Sequence, residues 1–190
     1  LILVVEIYAV LNQALQMINT TGVISSGTLK GLAANRNITA FSLAIKIPFV
    51  LFLFQLEKNN WLKLFLTSII CSVLIGLSMI QSRASFVAIG LIILAYFVLH
   101  TILYLKVNKK IKQFYQIGFL IIPLLIAVFF NQKILSTKGA DAISRAATIS
   151  LSTNDGSVNQ RLRYYEDVLT HLISNPFFGV GLGNWKLKSI

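Results

Sequence analysis

The sequence predicts an all-α protein: a polytopic transmembrane helix bundle followed by an external amphipathic helix. Three observations predict it. The 190 residues are 56% hydrophobic, with a mean hydropathy of +0.76 and 12% charged residues, whereas soluble domains carry roughly 25% charge. Apolar runs recur at close to the about 20 residues that a helix needs to cross the hydrocarbon core. After the last run the composition turns polar, and a stripe of apolar residues appears at helical spacing.

Taken in order, residues 1–11 read as the end of a span, and 12–37 as a loop. Fuller spans are expected at 38–56, 64–80, 84–105 and 114–130, with Phe114 and Tyr115 as interfacial anchors. Residues 1–132 therefore read as transmembrane helices, about five spans with the first partial. Residues 133–190 read as an external loop and helix, truncated before further spans. The chain begins without Met or a basic leader and reads as part of a larger protein. The lone Cys71 lies in an apolar run, which leaves no disulfide framework and no thiolate metal site.

The charges orient the spans. KVNKKIKQ (106–113) holds four lysines and no acid, so the positive-inside rule makes it cytoplasmic. Alternation then puts EKNNWLK (57–63) on the same side, and 12–37, 81–83 and 131–190 outside. The net charge of +11 sits singly or in short connectors, which reads as topology signals and anion contacts, with no nucleic-acid partner.

The polar C-terminal part contains one distinct helix. Ser157 and Gln160 match a capping box, Val158, Leu162, Tyr165, Leu169 and Leu172 form the stripe, and Asn175-Pro176 ends it. Arg161 falls in line with Tyr165, Val168 and Leu172. Arg163 points the other way, with Asp167 at i+4 for an exposed ion pair.

Arg83 stands between two lipid-like runs in GLSMIQSRASFVAIGL (76–91). Its guanidinium stays charged, and the predicted topology sets it at the outer surface, where it can snorkel. Arg83 and Arg161 both lack a nearby carboxylate, which points to an anionic ligand, phosphate being the natural match for the guanidinium fork. For Arg161, an aliphatic stem covering apolar surface is the competing reading. Lys46 lies about 13 Å into its span at about 1.5 Å per residue, within reach of Glu6 for an intramembrane pair, and Pro48 bends the helix beside it. His100 is expected at the cytoplasmic end of its span in an interfacial role. GVGLG (179–183) follows a helix and a proline, so it reads as a tight turn and not as a dinucleotide loop.

Three stretches carry a resemblance to a family: GLAANRNITAFSLAIKIPF (31–49), IQSRASFVAIGL (80–91) and NQRLRYYEDVLTHLISNPFFGVGLGNW (159–185). In order and spacing they resemble the bacterial O-antigen ligase and O-antigen polymerase superfamily. The resemblance implies a membrane glycosyltransferase with the all-helical C-type fold, working in lipopolysaccharide or polysaccharide biosynthesis. Its donor would be a glycan on polyprenyl (undecaprenyl) pyrophosphate, and its acceptor a glycan, lipid A core or protein. It would sit in the bacterial cytoplasmic (inner) membrane as a multi-pass protein with its chemistry on the outer face. Arg83 and Arg161 would be the catalytic contacts to the pyrophosphate, and Asn35, Arg36, Asn37, Lys46 and Tyr165 would bind substrate, with no metal and no cofactor. The family's proposed base, a histidine downstream of the Gly-Val-Gly motif, would lie beyond this chain. A transporter or flippase of an anionic lipid-linked saccharide is the alternative; paired halves with broken helices would favour it.

Overall fold

The computed structural model describes residues 1–25, 27–107, 112–138, 141–147, 156–177 and 179. Its elements are helical throughout those residues: α1 (Ile2–Thr21), α2 (Arg36–Leu56), α3 (Asn60–Ile80), α4 (Arg83–Val107) and α5 (Lys112–Phe130). A π-helical segment (Asn131–Leu135) and a 3-10 turn (Ser136–Lys138) follow, then α6 (Ala142–Ala147) and α7 (Gly156–Ser174). Five of these helical stretches are long and apolar enough to cross a membrane. The basic connector at 108–111, the side chains of Phe114, Tyr115, Ser157 and Val158, and the GVGLG motif from 180 onward lie outside the described residues.

The chain forms two compact units, 1–148 and 149–190. In the first, α2, α3, α5 and α4 pack in a ring, each chiefly on the next, and α1 lies against α2 and α3. Val10, Leu43, Ile47, Ile70, Val73 and Leu77 form its core. Large side chains such as Phe41, Phe49, Leu91, Leu94 and Phe129 remain exposed, as suits helices whose outer faces meet lipid.

The helix ends follow local chemistry. Asn35 caps α2 by accepting from the Asn37 and Ile38 amides, and Asn59 caps α3 by accepting from Trp61. Glu57 ends α2, and the Asn59 and Lys58 amides that its carboxylate accepts hold its pKa below the usual carboxylate value. α1 is longer than the sequence reading expected: it continues through 12–21 to Thr21, where Gly22 at φ 73° stops it. The apolar run ends at Leu11, but glutamine is a good helix former, and Gln13 Oε1 accepts the Gly31 amide at 3.0 Å.

α7 belongs to the second unit. It starts at Gly156, so Ser157 lies inside its first turn and not ahead of it. Leu162, Tyr165, Leu169 and Leu172 are all exposed along one stripe.

Candidate functional site

The candidate site is built at the end of the first unit where α2 and α4 begin and α3 ends. Only Gln81 and Ser82 separate α3 from α4, and Arg83 is the first residue of α4. Gln81 adopts φ 54°, a left-handed conformation that lets the chain reverse at once and costs a non-glycine residue about 1–2 kcal/mol. Ser82, 3% exposed, takes over the start of α4: its carbonyl accepts from the Ser85 and Phe86 amides and from the Ser85 hydroxyl. Arg83 is thereby held half-buried at a helix start whose backbone is fixed on both sides.

The second strand of the site comes from α2. Ala34 also adopts φ 54°, directly before the capping residue Asn35, and Arg36 and Asn37 open the helix. Ser82 Oγ donates to Asn37 Oδ1 at 3.1 Å, which ties the two helix starts together. Among the described residues, Ala34 and Gln81 are the two non-glycine residues at positive φ, and both adjoin this junction. Strain of this kind persists where the surroundings over-determine it, and it clusters at functional sites. Asn35, Arg36, Asn37 and Arg83 are thus brought to one end of the bundle.

A roof of short segments closes the same end. The Ile24 amide donates to the Lys138 carbonyl at 2.6 Å, and Thr39 Oγ1 donates to the Lys30 carbonyl. Gly31, at φ 57°, passes so near α2 that a Cβ there would lie 2.6 Å from Thr39 Cγ2. Asn131, 2% exposed, accepts from the Ala142 amide at 3.2 Å and pins the start of α6.

Lys46 does not join this group. It lies nine residues further along α2 than Asn37, about 13.5 Å at 1.5 Å per residue, and its Nζ is 2.6 Å from Glu6 Oε2. The pair is supplemented by Ser42, which accepts from Lys46 at 2.6 Å and donates to Glu6 Oε1 at 2.9 Å. Ser42 was not foreseen; its place one turn before Lys46 was the available signal.

Arg161 and Tyr165 stand one turn apart on α7, both exposed. Among the described residues the ion pair is Glu6–Lys46, and Arg163 and Asp167 do not form the expected one. With arginine on the N-terminal side the pair has the weaker orientation, and in water it holds two long side chains for little gain.

His100 needs correction too. It is 1% exposed, with its Nε2 2.9 Å from Gln55 Nε2 and its ring 4.3 Å from that of Tyr96, so it is an internal link between α4 and α2 instead of an interfacial residue.

A family model described as O-antigen ligase matches residues 68–189. This chain belongs to the O-antigen ligase family. The match spans most of α3 and everything after it, so Arg83, Arg161 and Tyr165 lie within the O-antigen ligase region, whereas Asn35, Arg36, Asn37 and Lys46 precede it. Comparisons with curated proteins and with solved structures give no match. The chain is therefore a multi-pass membrane protein of the O-antigen ligase family.

Proposed function

We propose that this protein transfers or polymerises a glycan carried on polyprenyl pyrophosphate, at the outer face of the bacterial cytoplasmic membrane. The observation that carries the reading is the fixed Arg83 turn: two left-handed residues and the Ser82–Asn37 hydrogen bond hold a guanidinium at the end of a lipid-embedded bundle. In the reaction an acceptor hydroxyl oxygen bonds to the anomeric carbon as the bond from that carbon to the phosphate oxygen breaks. The hydroxyl proton passes to a base, and polyprenyl pyrophosphate leaves with the bonding electrons. Negative charge grows on the leaving group, and a guanidinium already aimed there stabilises the transition state without reorganising.

Arg83 and Arg161 are the two pyrophosphate contacts. Asn35, Arg36, Asn37 and Tyr165 bind the glycan or phosphate. Lys46 acts on substrate only indirectly, because its ammonium is already committed to Glu6 and Ser42. The acceptor is a glycan, lipid A core or protein.

The test is transfer activity of Arg83→Lys and Arg83→Ala in the full-length protein. Lysine keeps the charge and loses the bidentate fork, so both variants should fall by about a hundredfold or more, the scale for losing one preorganised contact to a developing anion. Full activity of Arg83→Lys at normal abundance would show that a point charge suffices and would remove the phosphate clamp.

A further inference from the structure

The end of the first unit that carries Arg83 is strongly basic. Lys30, Arg36, Arg83, Lys133 and Lys138 all lie there, and Asp141 is the one carboxylate among the described residues of that end. Asp141 is engaged in capping α6, where its Oδ1 accepts from the Ile143 and Ser144 amides at 3.1 and 3.2 Å. The unit's other two acidic residues are elsewhere: Glu6 pairs with Lys46, and Glu57 ends α2 at its far end. Among the described residues, Lys30, Arg36, Lys133 and Lys138 form no ion pair.

Topology does not account for these cations. The positive-inside rule concentrates lysine and arginine on the cytoplasmic side, which the four lysines of 106–113 already mark by that rule. Cations at the opposite end weaken the bias, so they call for a partner of their own.

The two kinds of base occupy different places. Arg36 and Arg83 are half-buried at helix starts that the Ser82–Asn37 hydrogen bond ties together. The lysines stand on the roof, Lys30 and Lys133 exposed and Lys138 half-buried. Their backbones are held: the Lys138 carbonyl accepts from the Ile24 amide at 2.6 Å, the Lys30 carbonyl accepts from Thr39 Oγ1, and Lys133 sits within the π-helical segment. These bonds use carbonyls only and leave the ammonium groups to solvent or ligand. A guanidinium grips one oxyanion in a fixed bidentate geometry, whereas an ammonium is a point charge on a flexible stem. Point charges on a pinned backbone suit anionic groups that recur along a flexible chain. We propose that the roof lysines bind an acidic saccharide, so that the glycan this protein transfers or extends carries carboxylates or other anionic groups. This rests on the glycan-transfer reading above and adds the chemical class of the saccharide.

The test is binding of oligogalacturonate, a chain of sugar carboxylates, to the full-length protein in phosphatidylcholine nanodiscs, with a neutral maltooligosaccharide of the same length beside it. Oligogalacturonate should bind about tenfold or more tightly than the neutral chain, and less tightly as salt rises. Lys30→Gln/Lys133→Gln/Lys138→Gln, at an unchanged unfolding temperature, should weaken its binding about tenfold, the scale of three exposed ion pairs. Lys30→Arg/Lys133→Arg/Lys138→Arg should hold it within about twofold, because charge and not the shape of the donor is used. Lys58→Gln/Lys63→Gln/Lys106→Gln, which removes as many charges from the opposite end, should also leave it within about twofold. No binding, equal binding of the neutral chain, or equal weakening by the last variant would overturn the proposal. Displacement by glycerol phosphate at equal charge concentration would assign the roof to phospholipid headgroups and would overturn it too. Transfer that depends on Arg83 in a protein without acidic selectivity would overturn the roof site alone. Acidic selectivity in a protein whose transfer ignores Arg83 would overturn the pyrophosphate clamp and leave the roof site standing.

Discussion

Replacing Glu6 by Gln should destabilise the bundle far more than replacing both Glu6 and Lys46. Lys46 Nζ has Glu6 Oε2 and Ser42 Oγ both at 2.6 Å, and it lies near the middle of a hydrocarbon core about 30 Å thick. Glu6→Gln removes the counter-charge and leaves an ammonium with a hydroxyl and an amide. An isolated lysine at that depth costs about 2.5–3.5 kcal/mol on insertion scales, so a loss of about 3 kcal/mol is expected. Lys46→Met should cost less, about 1–2 kcal/mol, because the Glu6 carboxylate still accepts from the Ser42 hydroxyl. The double variant Glu6→Gln/Lys46→Met carries no buried charge and should lie within about 1 kcal/mol of the parent, as apolar replacements of buried pairs commonly do. The resulting coupling of about 3–5 kcal/mol is readable by unfolding in mixed micelles or by steric trapping in bicelles. Additive losses in the double variant would refute the reasoning, since groups that do not interact show no coupling.

Other consequences follow from the same geometry. With Cys71→Ser as background, a cysteine at Ser82 should react with an impermeant reagent from the outer side and one at Asn108 should not; the reverse pattern would put the arginine turn on the wrong face for an external donor. Arg161→Ala should cut transfer about a hundredfold while Arg163→Ala changes it little, measured on the full-length protein at matched abundance; equal effects would mean that α7's arginines act only as surface charge. Gly31→Ala should cost about 2–3 kcal/mol from left-handed strain and overpacking against Thr39. Adding Thr39→Ser, which removes the clashing methyl and keeps the hydroxyl, should recover part of that loss in thermal unfolding; no recovery would show that the close approach to Thr39 is not the cause.

The spans were legible because each needs only apolar composition over a fixed length. Their starts were read late: α2 and α3 begin at Arg36 and Asn60 instead of 38 and 64, because polar residues open them after the caps Asn35 and Asn59. α1 was read short because its apolar run ends at Leu11, and the contact of Gln13 with the Gly31 amide lies 18 residues away in sequence. Arg83 could be singled out from sequence, since a permanent charge between apolar runs demands a reason. What fixes it could not, because Ser82 and Asn37 are 45 residues apart and no periodicity joins them. His100 failed for a related reason: a uniformly apolar helix such as α4 gives no sign of which face meets protein, and the choice was made by Gln55 on α2. The Glu6–Lys46 pair was within reach of sequence reasoning, because two opposite charges at similar depth have few other partners in lipid.

The hydrogen bond between Ile24 and Lys138 has a consequence for the order of assembly. Membrane helices leave the ribosome in sequence, so α1 and α2 emerge early, while the carbonyl that receives the Ile24 amide is made more than about a hundred residues later. At about 5–20 residues per second that interval is of the order of 5–20 s. During it the segment between α1 and α2 has no partner on the α5 side, and the roof over the arginine turn is unfinished. A nascent chain is therefore unable to present a complete site until α5 has been delivered, so competence for the donor arrives late in biosynthesis, well after the Arg83 turn itself has been made.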